Sequence, residues 1–188
     1  MYLVELADAP IALEALAGKV RASSNFSFAS IFYLYEDANP TTPRGALAVF
    51  DAILETTELD RVLRNSWVRD YRSTFELDRR EKHALLVPVE GRLENVLASA
   101  AHDHAGAYSR VLRDATSSER AEVAELFGSM GRYQCFELVA RPEPGCSTCG
   151  YRSEFFSNWF YGTAWDWCFF VVWEEKKVVG LICLTDTD

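Results

Sequence analysis

The stretch that most limits the possible folds lies near the C-terminus, where residues 165–186 read WDWCFFVVWEEKKVVGLICLTD. Two runs rich in β-branched and aromatic residues flank the charged tetrapeptide Glu174-Glu175-Lys176-Lys177, which is the pattern of a β-hairpin. The pairing is the same whether Glu175-Lys176 forms the tip or the whole tetrapeptide forms the loop. Trp173 then faces Val178, Phe170 faces Leu181 and Cys168 faces Cys183. Side chains alternate between the two faces of a strand. One face therefore carries Cys168, Phe170, Val172, Val179, Leu181 and Cys183; the other carries Trp167, Phe169, Val171, Trp173, Val178, Ile182 and Leu184. Both faces are apolar, whereas a hairpin wetted on one side alternates apolar with polar residues. This hairpin either sits in the middle of a sheet covered on both sides or lends one face to another chain. The helical segments upstream favour the covered sheet.

Those segments begin with residues 8–21, where Asp8 is placed to cap a helix, Pro10 fits its first turn, and Ile11, Leu13, Leu16 and Val20 recur near helical spacing. Residues 26–35, FSFASIFYLY, favour a strand. The break at Asn39-Pro40-Thr41-Thr42-Pro43 also starts a helix, with Thr42 as its cap, Pro43 at its first position, and Leu47, Phe50 and Leu54 on its buried side. A further start at Thr56-Thr57 leads into Leu59, Val62 and Leu63. Trp67, Tyr71, Phe75 and Leu77 fit a strand nearly as well as a helix. Residues 83–89 read as a strand that Pro88 pushes to a sheet edge. From Arg92 to Asp114 one helical stripe carries Leu93, Val96, Leu97, Ala100, His104, Ala107 and Val111. Thr116-Ser117-Ser118-Glu119 opens another helix that ends near Gly128. Residues 132–140 read as a strand, and a short aromatic helix is expected from Ser153 to Phe160.

With 188 residues, 49% of them hydrophobic, the chain can bury a core without covalent staples. The expected architecture is a single α+β domain over residues 1–188. A helix-rich part, 1–130, packs on a mainly antiparallel sheet whose core includes the hairpin 167–184, and 131–188 is strand- and aromatic-rich.

Charge narrows the function classes. A formal net charge of −9 is unsuited to a duplex nucleic-acid binder or to docking on anionic membranes. It suits solubility, and many acidic domains have no charged partner; it would also suit a basic protein partner through electrostatic steering. The N-terminal MYLVELADAPIALEALAG lacks a basic stretch and carries Glu5 and Asp8, unlike a secretory signal. No apolar run approaches the roughly 20 residues needed to span a bilayer. Five cysteines at low density imply no disulfide framework, so a reducing, cytoplasmic setting is expected.

The stretch GCSTCG, residues 145–150, spaces Cys146 and Cys149 as a zinc knuckle does. A structural zinc site needs two further ligands. Cys168 with Cys183 lie on an apolar face that suits buried thiols better. His102 and His104 stand two residues apart on a helix and point to different sides. A redox pair needs the first thiol at a helix N-terminus within a βαβ pattern, which the N-terminal half lacks. The leading reading of GCSTCG is a glycine-framed loop with no cofactor, with zinc and redox roles behind it. No phosphate loop, nucleophile elbow, dinucleotide fingerprint or His-Glu-x-x-His motif is present.

Four of the five tryptophans fall between Tyr151 and Trp173. Each indole N–H wants a partner, so a core layer seldom holds so many. Trp and Tyr are favoured at protein interfaces. Core packing is the first reading of this aromatic block, and a protein interface or ligand pocket is the second, for which Trp159, Tyr161, Trp165, Asp166 and Trp167 are the candidate binding residues. The leading expectation is a non-enzymatic, cytosolic protein-binding protein, of the inhibitor or immunity type, that neutralises a basic toxin or enzyme. The alternatives are a small enzyme or ligand-binding protein with an aromatic pocket around 159–167, and a zinc-stabilised structural module.

Overall fold

A computed structural model of the chain describes residues 2–6, 14–16, 18, 26–56, 84–102, 115–140 and 166–186. Among these residues, six strands form one sheet: β1 (Tyr2–Glu5), β2 (Phe26–Glu36), β3 (Ala84–Pro88), β4 (Gln134–Ala140), β5 (Asp166–Trp173) and β6 (Val178–Asp186). Among the described residues, α1 (Pro43–Leu54), α2 (Arg92–His102) and α3 (Ser117–Gly128) pack on it. The strand order is β1-β2-β6-β5-β4-β3, and every neighbouring pair is antiparallel.

The hairpin β5–β6 occupies the centre of this sheet. Its register pairs Trp173 with Val178, Phe170 with Leu181 and Cys168 with Cys183, as the apolar pattern requires. The turn is a short 3₁₀ segment, Glu174–Lys176, closed by Lys177 in the left-handed region at φ 54°. Two cores result, one on each face. Cys168, Phe170, Val172, Val179, Leu181 and Cys183 pack with Ala46, Val49, Phe50 and Ile53 of α1. Trp167, Phe169, Val171, Trp173, Val178, Ile182 and Leu184 pack with Leu93, Val96 and Leu97 of α2 and with Val123 and Phe127 of α3. The covered-sheet alternative is the one realised.

Local chemistry sets the helix starts. Thr42 caps α1, its hydroxyl accepting from the Gly45 backbone N–H at 3.1 Å, and Pro43 takes the first helical position. Thr116 and Glu119 form a reciprocal capping box at α3. The buried stripe of α1 is Ala46, Val49, Phe50 and Ile53; Leu47 is only half-buried, and the Leu54 side chain lies outside the described residues. Among the described strands Pro88 stands on an edge, β3, paired with Phe136 of β4. A proline removes a ladder N–H, and an edge leaves one row of such groups unpaired.

The expectation of a helix-rich N-terminal two-thirds holds only in part. β1, β2 and β3 all come from residues 1–130, so half the strands of the sheet are built there. β1 has only four residues and no distinct pattern, and it gains its identity by pairing with β2, Tyr2 opposite Glu36 and Val4 opposite Leu34. Residues 67–78, 104–114 and 153–160, with the start at Thr57 and the loop GCSTCG, lie outside the described residues. No described helix is long and apolar enough to cross a membrane.

Candidate functional site

A cleft of about 1070 Å³ opens at the end of the sheet where β3 hands over to α2, β4 begins and β5 ends. The N-terminus of α1, at Thr41 and Pro43, reaches it as well. Three chain reversals build this end. Gly91, at φ 68°, turns the chain from β3 into α2, and its carbonyl accepts from the Asn95 N–H at 3.0 Å. Gly131, at φ 103°, turns it from α3 into β4. The Glu174–Lys177 turn closes β5.

The floor is apolar and buried, formed by Cys135, Phe136 and Val172. The charged lining is dominated by acids: Glu90, Glu94, Glu174 and Glu175 against Arg132. Glu90, Arg132, Glu174 and Glu175 are exposed, and Glu94 is half-buried. Lys176 stands just outside, beside Gly131, and Lys177 lies over the Tyr35 ring at 5.6 Å.

On the helical side of the floor, the Tyr133 hydroxyl donates to Glu94 Oε1. Burial pushes the Tyr133 phenol well above its ordinary range, and the bond and charge of Glu94 push the same way. The Cys135 thiol is also pushed up, by burial first and then by the charges of Glu94 and Glu137. It is therefore held protonated at neutral pH, the opposite of what an activated nucleophile needs. Behind it, Glu137 is buried within β4, and its Oε2 accepts from Arg92 Nε at 3.2 Å. Tyr133 also belongs to an aromatic group with Phe127 and Trp173. The last two stack at 6.1 Å with an interplanar angle of 3°. This arrangement can accept cationic groups at its rim and hydrogen-bond them, while its titratable floor groups stay neutral.

Of the candidate binding residues taken from the sequence, only Trp167 has a described side chain, and it does not line the cleft. Trp167 is 7% exposed and sits in the core shared with α2 and α3. Asp166 begins β5 opposite Thr185, and its side chain lies outside the described residues. Trp159, Tyr161 and Trp165, and both knuckle cysteines Cys146 and Cys149, are outside them as well. His102 sits with its Nε2 3.7 Å from Glu122 of α3. Among the described residues no three His, Cys, Asp or Glu side chains come together as a metal site. The cleft draws on residues from several separate segments, and no local motif marks it. The nearest signal is the run of two glutamates at the hairpin turn. The sequence matches no protein-family model and no curated protein.

Proposed function

We propose that this chain is a non-enzymatic, cytoplasmic protein-binding protein of the inhibitor or immunity type, which neutralises a basic enzyme or toxin. The observation that carries the reading is the acid-lined cleft at the sheet end, with Glu90, Glu94, Glu174 and Glu175 set against Arg132. A concave surface lined mainly by one sign of charge, with low-dielectric walls, concentrates field lines and speeds encounter with an oppositely charged partner. The net charge of −9 acts in the same direction over longer range. The neutral Tyr133 and Cys135 on the floor supply no activated nucleophile, which favours binding over covalent chemistry.

The test is affinity capture from the cell that makes the chain, at low and high salt. The wild type is compared with the variant Glu90→Lys/Glu174→Lys/Glu175→Lys. The expected result is a basic enzyme retained at low salt, released as salt rises, lost with the charge-reversed variant, and inhibited when the wild-type chain is added. Capture that ignores both salt and charge reversal, or a captured enzyme whose activity is unchanged, overturns the reading.

A second reading, a pocket for a small cationic ligand, is favoured by the size of the cleft and its buried floor of Cys135, Phe136 and Val172. Calorimetry with spermidine separates the two. Saturable one-to-one binding supports the pocket, and heat of dilution alone removes it.

A further inference from the structure

We infer that Cys168 and Cys183 are an oxidisable dithiol, which a peroxide converts into a cross-strand disulfide tying β5 to β6 inside the folded sheet. The two residues are direct partners in the antiparallel register, and their Sγ atoms stand 3.7 Å apart. Directly opposed residues of antiparallel strands have Cα atoms about 4.5–5.5 Å apart. Disulfides bridge Cα separations of about 4.4–6.8 Å. Closure therefore needs side-chain rotation rather than strand movement. The two strands cannot drift apart easily, because β2 holds β6 on its outer side and β4 holds β5. Cys135, the other described cysteine, packs in the core on the opposite face of the sheet, so it does not compete for either thiol in the folded chain.

Burial selects the oxidant. Cys168 is 2% and Cys183 3% exposed, beneath α1 and among Phe170, Leu181 and Val172. A bulky disulfide reagent has no room there to form a mixed disulfide, whereas hydrogen peroxide is close to the size of water. One thiolate attacks a peroxide oxygen, giving a sulfenic acid and hydroxide. The second thiolate then attacks that sulfur and displaces the second hydroxide. The two thiol protons leave with the two hydroxides, so two thiols and one hydrogen peroxide give one disulfide and two waters. Two electrons pass from sulfur to peroxide. The inference is independent of the partner-binding reading, since the pair lies on the α1 face and outside the lining of the cleft.

The test uses the full chain carrying Cys135→Ala, Cys146→Ser and Cys149→Ser, so that only the pair remains. The folded protein is treated with hydrogen peroxide, quenched, alkylated under denaturing non-reducing conditions and digested with trypsin. Lys176 and Lys177 lie between the two cysteines, so the digest separates the strands. The expected product is one joined peptide pair, two hydrogens lighter than its parts and split by dithiothreitol. The oxidised chain is expected to melt roughly 5–10 °C above the reduced one, as closure of a short loop in the unfolded chain implies. Both cysteines alkylated after peroxide, sulfinic acids without a cross-link, or a cross-link only between chains overturns it. If circular dichroism shows that the triple variant does not fold, the same peptide map on the wild-type chain reads the pair directly.

Discussion

At the scale of single residues, two positions show how closely this sheet is fitted. Gly180 of β6 lies opposite Phe32 of β2, and the Phe32 ring covers it. A methyl group there would stand 2.5 and 2.6 Å from two ring carbons of Phe32 and 3.3 Å from Trp173. Both neighbours are buried rings, and Trp173 is stacked on Phe127, so neither can give way cheaply. Gly180→Ala is expected to cost about 1–3 kcal/mol, the usual penalty for overpacking, read as a lower urea midpoint with an unchanged slope. Tyr133 makes a different prediction. Its phenol is raised in the fold by burial and by Glu94. Below the ordinary phenol range, near pH 10, folded and unfolded chains both keep the proton, so the stabilisation is fully present. As pH rises above that, the unfolded chain releases the proton first and the stabilisation drains away. Tyr133→Phe is expected to cost about 1.5–3 kcal/mol at neutral pH through the lost bond to a charged group. It also removes this group's share of the alkaline loss, so the two stabilities run parallel near neutral pH and converge as pH rises above about 10. Curves that stay parallel above about pH 10 would show that Tyr133 is not held neutral by the fold.

At the scale of elements, the hairpin is the part most legible in advance, because it is apolar on both faces and its turn is charged. Those two facts together set the register, and the register sets the faces. Phe169 and Phe170 are adjacent in sequence yet lie in different cores, one with α2 and α3, the other with α1. Each is fully buried, and truncation of either to alanine is expected to cost about 3–5 kcal/mol. Because both cores share β5 and β6, both variants are expected to shift one common unfolding transition, monitored by tryptophan fluorescence and circular dichroism. Two separate transitions in either variant would mean that the faces fold apart. The starts of α1 and α3 were equally legible, since Thr42-Pro43 and Thr116-x-x-Glu119 act through neighbouring backbone N–H groups. β1 was not, because four residues carry no period long enough to recognise and its pairing partner lies some thirty residues away.

At the scale of the whole molecule, a sheet covered on both sides turns most of its apolar surface inward and leaves its strand ends as the place where chemistry can collect. The cleft forms there because three turns converge: Glu90-Gly91 before α2, Gly131-Arg132 before β4, and Glu174–Lys177 after β5. Four glutamates meet there because of strand order, since β3, β4 and β5 are neighbours in the sheet although 40 to 50 residues of chain separate Glu90 from Arg132 and Arg132 from Glu174. The charge reversal proposed above is therefore a test of the assembled surface and not of any one segment. Trp167 and Trp173 are consumed by the core, where Trp173 stacks on Phe127 and, among the described residues, its indole N–H has no hydrogen-bond partner. Composition registers how many rings a chain has, but it does not distinguish a buried stack from an exposed anchor.

What the sequence determined by itself is what nearest neighbours along the chain decide. Alternation places side chains on faces, caps start helices, a proline demotes a strand to an edge, and a double apolar face demands cover on both sides. Only the tertiary structure decided strand order, and with it the meeting of Glu90, Glu94, Arg132, Glu174 and Glu175 around one cleft and the separation of Cys135 from the thiol pair by the thickness of the sheet. The physical reason is range. Backbone hydrogen bonds and side-chain alternation act over a few residues and leave a local imprint, whereas long-range strand pairing is selected by the packing of the whole core, which no short window of the chain records.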